Sequence, residues 1–523
     1  MIMKRNCGVL LPVASLPSRY GIGCFSEEAY RFIDFLESAG QSCWQILPLG
    51  QTGYGDSPYQ SFSTFAGNPY FIDLVKLAEA GYITTEDADS VDFGSNPSYI
   101  DYEKVYYGRF PLLWKAYVNS PFALKPADPW SGSEYDGQRA DFARFIDENS
   151  GWLPDYALYS AVKKQFNNVS YIEWDEDIRT RKPEAVERYS AMLADEIRFW
   201  EFQQYMFILQ WTDLKRYAND HGIRIIGDIP IYVAFDSADT WSHPELFEFD
   251  DKGYPVVVAG CPPDAFSATG QLWGNPIYRW PYHKQTGYRW WISRIAKCFE
   301  LYDVIRIDHF RGFDEYYAIP YGDETAQNGK WCPGPGYDLF AAIREALGEK
   351  QIIAEDLGYV TQSVIDLVNR TGYPNMKVLQ FAFDSREESD YLPHNYPVNC
   401  VVYTGTHDNE TMAGWYADVS PTDRALAEEY IGLPARQDSG TSADGTNVPD
   451  DDIAWAFIRL AFQSVARTAI IPMQDYLNLG NEARINHPST LGTNWKWRLC
   501  SGQLTGQLAA RMARMTVVYG RKR

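Results

Sequence analysis

Eight short apolar segments spread along the chain constrain its fold more than any other feature of the sequence. Most are nearly continuous in Val, Ile and Leu and do not alternate with polar residues, which is typical of strands covered on both faces. The segments are Cys7–Val13, Cys43–Leu49, Arg224–Ile231, Val304–Phe310, Gln351–Leu357, Met376–Phe381, Cys400–Thr406 and Thr468–Tyr476. Each is short enough to be a buried strand, although a buried helix gives a similar pattern over so few residues.

Helical patterns lie between several of these segments. Ser26–Ala39 begins at a residue suited to capping and ends before Gly40, Ala194–Asp220 is long and amphipathic, and Ile453–Val465 precedes the last apolar segment. Alternation of strands with helices implies parallel pairing of the strands. Eight such units predict an α/β fold, a (β/α)8 TIM barrel.

The uneven spacing of the segments predicts large insertions at approximately residues 67–190 and 232–300. The first is predicted to be mainly helical, from the patterns at Tyr106–Tyr117, Asp141–Asp147 and Pro154–Lys164. Insertions after barrel strands lie on the catalytic face. We therefore expect residues 1–523 to form one catalytic barrel unit, with the two insertions as subdomains over the active-site face. Arg436–Asp452 is predicted to be an exposed, turn-rich loop.

Charge and cysteine usage exclude several classes of protein. Asp and Glu outnumber Lys and Arg by 69 to 47, a net charge of −22, which argues against nucleic acid or anionic membranes as partners. None of the eight cysteines forms a C-x-x-C pair, so a reducing compartment is expected. The sequence has neither an apolar signal core at its start nor a run of about 18 apolar residues. We expect a cytoplasmic protein.

Three of the apolar segments end in a carboxylic acid: Asp308, Glu355 and Asp408. Enzymes built on parallel barrels keep their chemistry at the carboxyl ends of the strands. Two convergent carboxyl groups are the working parts of most glycosidases. The positions of these acids therefore predict sugar chemistry, but they do not separate hydrolysis from transfer.

The residues around the first two acids suggest different ionisation states. Arg306 and Asp308 are two apart on a strand and share a face, so the cation is expected to favour an ionised Asp308, as a nucleophile requires. A purely structural ion pair is the alternative. Glu355 follows an apolar strand, where partial desolvation would raise its pKa and suit a general acid. Asp356 is expected to point the other way.

Further polar and aromatic residues are expected near these acids. His309 and His407 can donate hydrogen bonds to sugar hydroxyls, although a single His is more often structural. Asp228 lies at the end of the third strand segment. Aromatic rings beside polar or glycine-rich stretches suit pyranose faces, with ordinary packing as the alternative. These rings are Tyr54, Tyr59, Tyr70, Trp273, Tyr278 and Trp280.

The sequence lacks the motifs of the main cofactor-dependent chemistries. The glycines of Gly50–Tyr59 fit neither the dinucleotide fingerprint nor the P-loop. There is no H-E-x-x-H, no Cys and His spacing for zinc, and no G-x-S-x-G elbow at a strand end. We expect no cofactor and no metal.

Three motifs surround the acids: Arg-Ile-Asp-His-Phe-Arg-Gly at 306–312, Ala-Glu-Asp-Leu-Gly at 354–358 and Thr-His-Asp-Asn at 406–409. In these motifs, and over nearly its whole length, the chain resembles the amylomaltases, the 4-α-glucanotransferases of glycoside hydrolase family 77. Other matching stretches are 8–18, 56–63, 66–73, 227–231, 260–267, 271–276, 483–486 and 494–498. One small departure is Ile485, where Met often precedes the Asn. The chain resembles the short members, which carry no carbohydrate-binding module.

The resemblance implies separate roles for the three acids. Asp308 would be the nucleophile, Glu355 the acid/base and Asp408 the transition-state stabiliser of a retaining double displacement. The substrates would be maltooligosaccharides, amylose and similar α-1,4-glucans, and a loop near Gly260–Ser267 would cover the cleft. The substrate-binding residues would be Tyr59, Asp228, Asp264, Trp273, Arg306, His309, His407 and Asn486.

Two alternatives remain at this point. The same site would serve a hydrolytic α-glucosidase or amylase. The second alternative is a glucan-binding protein that has lost its activity. The presence of all three acids argues against it. Neither the preferred glucan length nor the oligomeric state can be read from the sequence.

Overall fold

A computed structural model describes residues 5–263, 267–358, 360–433 and 453–522 of the chain. Twelve strands lie within these residues. They are β1 (Asn6–Leu10), β2 (Cys43–Gln45), β3 (Arg224–Ile229), β4 (Val257–Cys261), β5 (Gln271–Pro276), β6 (Val304–Ile307), β7 (Glu315–Pro320), β8 (Lys330–Pro333), β9 (Ile352–Ala354), β10 (Asn375–Val378), β11 (Cys400–Tyr403) and β12 (Thr468–Pro472).

Eight of these strands form one parallel sheet in the order β10-β11-β12-β1-β2-β3-β6-β9. They are the eight apolar segments of the sequence, which confirms the predicted (β/α)8 barrel. The strands are shorter than the segments because the carboxyl-terminal part of each segment leaves the ladder. The sheet is nearly closed, since the Ala354 N–H donates to the Pro374 carbonyl at 3.0 Å across β9 and β10.

Burial on both faces of the strands explains why the segments do not alternate. In β11, Val401 and Tyr403 belong to the cluster inside the barrel, whereas Cys400 and Val402 pack against the surrounding helices. Side chains on both faces of such a strand are buried away from water, so successive residues along the strand are all apolar. Ten fully buried residues fill the interior: Leu10, Cys43, Ile226, Val304, Ile353, Met376, Val378, Val401, Tyr403 and Ile470.

Nineteen α-helices accompany the strands in the described residues. They are α1 (Glu27–Ser38), α2 (Leu74–Glu79), α3 (Thr85–Asp89), α4 (Tyr102–Val118), α5 (Asp136–Glu148), α6 (Leu153–Gln165), α7 (Glu176–Arg179), α8 (Pro183–Met192), α9 (Ala194–Asp220), α10 (Ala238–Ser242), α11 (Trp280–Gln285), α12 (Arg289–Leu301), α13 (Tyr337–Leu347), α14 (Gln362–Thr371), α15 (Met412–Asp418), α16 (Pro421–Ile431), α17 (Ile453–Gln463), α18 (Met473–Tyr476) and α19 (Gly506–Val518).

The predicted helices are present with closely similar bounds. Ser26 stands at the N-cap of α1, and Gly40 follows its end with a φ of +68°, a conformation that glycine adopts without strain. Helix α9 spans the predicted residues, and α4, α5 and α6 account for the helical patterns between β2 and β3. This connection contains helices and no strands in its described residues, as the sequence indicates.

An antiparallel sheet in the order β5-β4-β7-β8 was not predicted. Its strands carry many partly exposed positions, and β8 is exposed or half-buried throughout. β5 and β8 have no apolar run to identify them, whereas the apolar run at Val256–Ala259, which contains most of β4, was not assigned to a strand. The sheet lies in the connections that leave β3 and β6, beyond the carboxyl ends of those strands.

Two sequence predictions lie outside the described residues: the loop Arg436–Asp452, and Asp264 within the loop near Gly260–Ser267. In the part of the chain that the structure describes, no helix combines the length and the apolar character that crossing a membrane requires.

Candidate active site

The three acids lie at the carboxyl ends of barrel strands. Asp308 directly follows β6, Glu355 directly follows the adjacent β9, and Asp408 lies in the loop after β11. The Asp308 N–H donates to the Ile229 carbonyl at 2.9 Å, and the Glu355 N–H donates to the Ile307 carbonyl at 3.1 Å. Asp308 and Glu355 are therefore each held by the strand next to their own.

Arg306 joins two carboxylates inside the barrel mouth. Its Nη2 lies 3.0 Å from Asp308 Oδ1, and its Nη1 donates to Asp228 Oδ2 at 2.5 Å. The guanidinium is buried, and its Nε donates to the Met376 sulfur at 3.4 Å. The contact between Arg306 and Asp308 confirms that these residues share a face of β6.

The pKa of Asp308 departs from the expectation based on Arg306 alone. Burial raises the pKa of this carboxyl well above its usual range, and Arg306 opposes the shift without cancelling it. The neighbouring Glu355, Asp228 and Asp408 raise the pKa further. Desolvation and like charges therefore outweigh the single cation, which is a correction to the predicted direction.

Glu355 is held by two backbone donors. Its Oε2 accepts from the His309 N–H at 2.6 Å, and its Oε1 accepts from the Leu357 N–H at 3.1 Å. His309 has a φ of +51°, an uncommon conformation for a residue other than glycine. Burial raises the pKa of Glu355, while Arg306 and the two N–H groups lower it by a smaller amount. The upward direction is the one predicted.

Asp308 and Glu355 act on each other as like charges, so they titrate as a pair. Because both pKa values are raised, the second proton stays on the pair to a higher pH than on a free carboxylic acid. One ionised and one protonated carboxyl at adjacent strand ends can supply a nucleophile and a general acid.

Hydrogen bonds join Asp228 to His407 through Tyr59, and His407 in turn lies beside Asp408. The Tyr59 hydroxyl donates to Asp228 Oδ2 at 3.0 Å and lies 2.9 Å from His407 Nε2. Because the hydroxyl has only one proton to donate, it accepts from His407, which places the His407 proton on Nε2. Burial lowers the pKa of His407 and favours the neutral ring. His407 Nε2 also lies 3.3 Å from Asp408 Oδ2.

Asp408 combines a fixed position with an accessible carboxylate. Its Oδ1 accepts from Asn486 Nδ2 at 2.6 Å, yet 41% of its side chain is exposed. Arg484 Nη2 donates to the Asp408 carbonyl and Arg484 Nε to the Asn486 carbonyl, both at 2.8 Å. Arg484 was not among the predicted site residues. It lies two residues before the predicted Asn486, in the matching stretch 483–486, and this proximity could have identified it.

His309 and Trp273 form an edge-to-face pair, with ring centroids 4.8 Å apart and planes at 88°. Burial lowers the pKa of His309 to about 3, so the ring is neutral. Among the described residues, no group pairs with its buried Nε2. Trp273 is half-buried in β5, and its Nε1 donates to Gln271 Oε1 at 3.1 Å. The pair presents an apolar ring beside a polar nitrogen that is free to bond.

Other predicted positions serve the scaffold. Tyr70, Tyr278 and Trp280 are buried, and the Tyr278 hydroxyl donates to the Ile231 carbonyl at 2.8 Å, so these rings are core residues and not exposed sugar platforms. The side chain of Tyr54 lies outside the described part of the chain. Asp356 faces away from the mouth and accepts from the Met376 N–H at 3.1 Å, which fixes β10 beside β9.

The structure thus brings ten predicted residues together through the contacts above. They are Tyr59, Asp228, Trp273, Arg306, Asp308, His309, Glu355, His407, Asp408 and Asn486. Asp264 lies outside the described residues. Among all the residues that the structure describes, no group of three His, Cys, Asp or Glu side chains is arranged to hold a metal ion.

Comparison with known proteins gives consistent results. The sequence profile of the 4-alpha-glucanotransferase family, glycoside hydrolase family 77, matches residues 11–504. A 4-alpha-glucanotransferase from Clostridium butyricum is 49% identical over 511 residues, which cover 97% of this chain and 99% of the relative. One from Thermus thermophilus is 45% identical over 520 residues, covering 98% of this chain and 99% of the relative.

A solved structure has the same fold. The amylomaltase from Streptococcus agalactiae, determined in complex with acarbose, superposes with a TM-score of 0.92 at 41% sequence identity. The match covers 99% of this chain and 100% of that one. The two proteins therefore share one fold over nearly the whole length of the chain.

Proposed function

The chain belongs to glycoside hydrolase family 77, the 4-α-glucanotransferases, and we propose that Asp308, Glu355 and Asp408 carry out its chemistry. The protein is a 4-α-glucanotransferase; the proposed reaction moves α-1,4-glucan segments between maltooligosaccharides and amylose-like chains. The observation that carries the assignment is the pair at adjacent strand ends. Asp308 contacts a buried guanidinium, and Glu355 is held by two backbone N–H groups.

In the first half of the proposed reaction, a carboxylate oxygen of Asp308 attacks the anomeric carbon of the donor glucan. The bond from that carbon to the bridging oxygen breaks, and Glu355 gives its proton to the leaving 4-oxygen. The shortened glucan leaves with a free 4-hydroxyl. The remaining segment is then an ester of Asp308, and Glu355 is ionised.

In the second half, the 4-hydroxyl of an acceptor glucan attacks the same carbon. Glu355 takes the hydroxyl proton, the ester bond breaks, and Asp308 leaves as a carboxylate. Each displacement inverts the anomeric centre, so the product keeps the α configuration. The mechanism requires the two carboxyl groups to stand about 5–5.5 Å apart in the reacting complex.

Asp408 is proposed to bind hydroxyls of the reacting glucose and to stabilise the positive charge that develops on its ring. Its exposed carboxylate oxygens support this role, because Asn486 and His407 hold the group without enclosing it. Hydrogen bonds to a sugar that strengthen in the transition state contribute directly to the rate.

The remaining site residues are proposed to bind the glucan. His309 has an unbonded buried nitrogen that suits a sugar hydroxyl, and Trp273 is a half-buried ring that suits a sugar face. Tyr59, Asp228, Arg306, His407 and Asn486 hold the acids and each other in place. Asp264 is assigned to the same groove by the family resemblance.

Transfer requires that an acceptor sugar and not water reaches the ester of Asp308. The family assignment favours transfer over the hydrolytic alternative, and the intact set of acids argues against an inactive glucan-binding protein. Two further proposals concern the whole chain. The insertions at 67–190 and 232–300 form subdomains over the active-site face, and the enzyme acts in the cytoplasm on oligosaccharides and polysaccharides of α-1,4-linked glucose.

Incubation of the pure enzyme with maltotriose tests the proposal. Disproportionation gives glucose together with maltooligosaccharides longer than the donor, followed by chromatography over time. The Asp308→Asn variant, prepared in the same way, is the control for contaminating activity. If glucose and maltose are the only products, the enzyme is a hydrolase and the proposal of transfer is wrong.

A further inference from the structure

A buried carboxylate behind the active site bridges the two ends of the loop that carries His407 and Asp408. The loop leaves β11 at Thr404 and enters α15 at Met412. Asp475 Oδ2 accepts from Thr404 Oγ1 at 2.5 Å, and Asp475 Oδ1 accepts from the Met412 N–H at 2.7 Å. One side chain therefore bonds to both ends of the loop.

Asp475 lies in α18, directly after β12, and its side chain is almost fully buried at 1% exposure. Thr404 and Met412 are fully buried as well. Asp475 is too deeply buried to touch a glucan. Both side-chain bonds run to the ends of the loop, so its effect on catalysis is expected to pass through the loop.

A carboxylate fits this position because both of its partners are donors. The Thr404 hydroxyl and the Met412 N–H each need an acceptor, and an ionised carboxylate accepts from both through separate oxygens. Hydrogen bonds to a charged acceptor are stronger than those between neutral groups. Burial raises the pKa of Asp475 to about 6, so the group is largely ionised at neutral pH.

Other groups hold the middle of the loop, including Arg484 and Asn486, which bond to Asp408. Asn409 Oδ1 accepts from the Thr406 N–H at 2.9 Å, which closes a turn next to Asp408. Gln380 Nε2 donates to the Glu410 carbonyl at 2.8 Å. Gln380 also donates its backbone N–H to the Thr404 carbonyl at 3.3 Å. The Asp475 carboxylate bonds to the residue at each end of the loop, Thr404 and Met412. Displacement of a reacting group by about 1 Å can cost about 100-fold in rate.

We propose that Asp475 is a positioning residue for the transferase reaction, which holds the 404–412 loop so that Asp408 meets the reacting glucose. The inference rests on the role proposed above for Asp408. It assigns a function to a residue that contacts neither the substrate nor the reacting carboxyl groups.

The test compares Asp475→Ala with Asp475→Asn. The alanine variant loses both bonds, and we expect kcat for maltotriose disproportionation to fall about 10- to 100-fold with KM changed by less than about threefold. Asparagine has nearly the same shape and can keep the bond from Met412, while the Thr404 hydroxyl can turn to accept from its amide. We expect Asp475→Asn to retain most of the wild-type kcat.

Asp239 offers a matched control. It is also a buried carboxylate whose pKa burial raises, and it accepts from the N–H and the hydroxyl of one threonine, Thr64, both at 2.8 Å. Asp239→Ala removes the same two kinds of bond from another part of the fold. We expect it to lower the melting temperature to an extent similar to Asp475→Ala but to leave kcat within about twofold of wild type.

A double-mutant cycle with Asp408→Asn separates positioning from general destabilisation. If Asp475 acts through Asp408, Asp475→Ala has little further effect on kcat once Asp408 is replaced. Equal losses in both backgrounds, or a wild-type kcat for Asp475→Ala, would overturn the inference. A wild-type kcat for Asp408→Asn alone would instead show that the role proposed for Asp408 is wrong.

A milder substitution keeps the inference testable if Asp475→Ala does not fold. Thr404→Val removes only the hydroxyl bond and leaves the bond from Met412 to Asp475. We expect a smaller loss of kcat, with the same dependence on Asp408 in the double-mutant cycle. An unchanged kcat in folded Thr404→Val, together with an unfolded Asp475→Ala, would count against the proposal.

Discussion

Arg306 Nη2 lies 3.0 Å from Asp308 Oδ1, and the same guanidinium donates to Asp228. The cation is thus shared between a carboxylate that reacts in the proposed mechanism and one that is fully buried behind it. Because burial raises the pKa of Asp308 despite this contact, Arg306 limits the shift and fixes the direction of the carboxylate.

Asp308→Asn should remove the nucleophile with little change in shape. We expect the rate of disproportionation to fall at least about 1000-fold, because an amide cannot form the ester intermediate. Glucan binding, measured by calorimetry with maltooligosaccharides, should be largely retained. Wild-type activity in a verified Asp308→Asn preparation would show that another group is the nucleophile.

The dependence of kcat/KM on pH should be bell-shaped. Activity requires that the carboxyl pair has lost one proton and kept the other, so the acid limb reports the first ionisation and the alkaline limb the second. Because both pKa values are raised, both limbs should lie above the usual carboxyl range of about 3.9–4.3. Activity that begins to fall on the alkaline side within that range would contradict this account.

A donor that needs no protonation provides the control for the pH profile. With α-maltotriosyl fluoride, the leaving group departs without a general acid. The alkaline limb of the first step should therefore disappear when formation of the intermediate is followed by fluoride release. An alkaline limb that persists would mean that it reports a group other than Glu355.

Tyr59→Phe should test the hydrogen bonds that join Asp228 to His407. The substitution keeps the ring that stacks on His407 at 5.3 Å but removes the hydroxyl that bonds both Asp228 and His407. We expect a loss of about 1–3 kcal/mol in the free energy of unfolding, because buried partners lose a bond, and a fall in kcat of about tenfold. Chemical denaturation and initial rates measure the two effects.

His407 should be neutral with its proton on Nε2 throughout the active pH range. The assignment follows from the Tyr59 hydroxyl, which donates to Asp228 and so accepts from His407. Nitrogen NMR of labelled histidine distinguishes the two tautomers, and Tyr59→Phe is the natural comparison. A proton on Nδ1 in the wild type would reverse the order of donors in this chain.

Asp475→Asn should change the pH dependence of stability. The pKa of Asp475 is raised to about 6 in the fold, against about 3.9 in an unfolded chain. The fold favours the protonated carboxyl, so Asp475 makes its full contribution to the free energy of unfolding below about pH 3.9. This contribution is lost as the pH rises through about 6. Relative to wild type, Asp475→Asn should gain up to about 3 kcal/mol between pH 4 and pH 7. If the free energies of unfolding of Asp475→Asn and wild type differ by the same amount across this range, the raised pKa of Asp475 is contradicted.

The barrel could be predicted because its strands are buried on both sides. Positions such as Val401 and Val402 face opposite sides of β11 and are both apolar, so each strand appears as a continuous segment. The antiparallel sheet could not be predicted, because β8 is exposed or half-buried along its whole length. The apolar run Val256–Ala259 marks β4, but β5 and β8, with which it shares the sheet, leave no comparable pattern.

The site shows the same division. Alternation along a strand was enough to place Arg306 beside Asp308, and the family resemblance identified the residues that meet at the mouth. The sequence predicted that Arg306 would keep Asp308 ionised, whereas its pKa is raised. The shift depends on desolvation and on charges at the ends of three other strands, which the sequence does not show. Arg484 and Asp475 act through bonds to residues distant in sequence, which only the folded chain brings together.

The most direct test of the account is capture of the covalent intermediate. In Glu355→Gln, α-maltotriosyl fluoride can still form the ester, but no base remains to activate the acceptor that resolves it. Digestion and mass spectrometry should then find a maltotriosyl group on the peptide that contains Asp308, and none in Asp308→Asn treated in parallel. A glycosyl group on any other residue, or rapid turnover without an adduct, would contradict the assignment of Asp308 and Glu355.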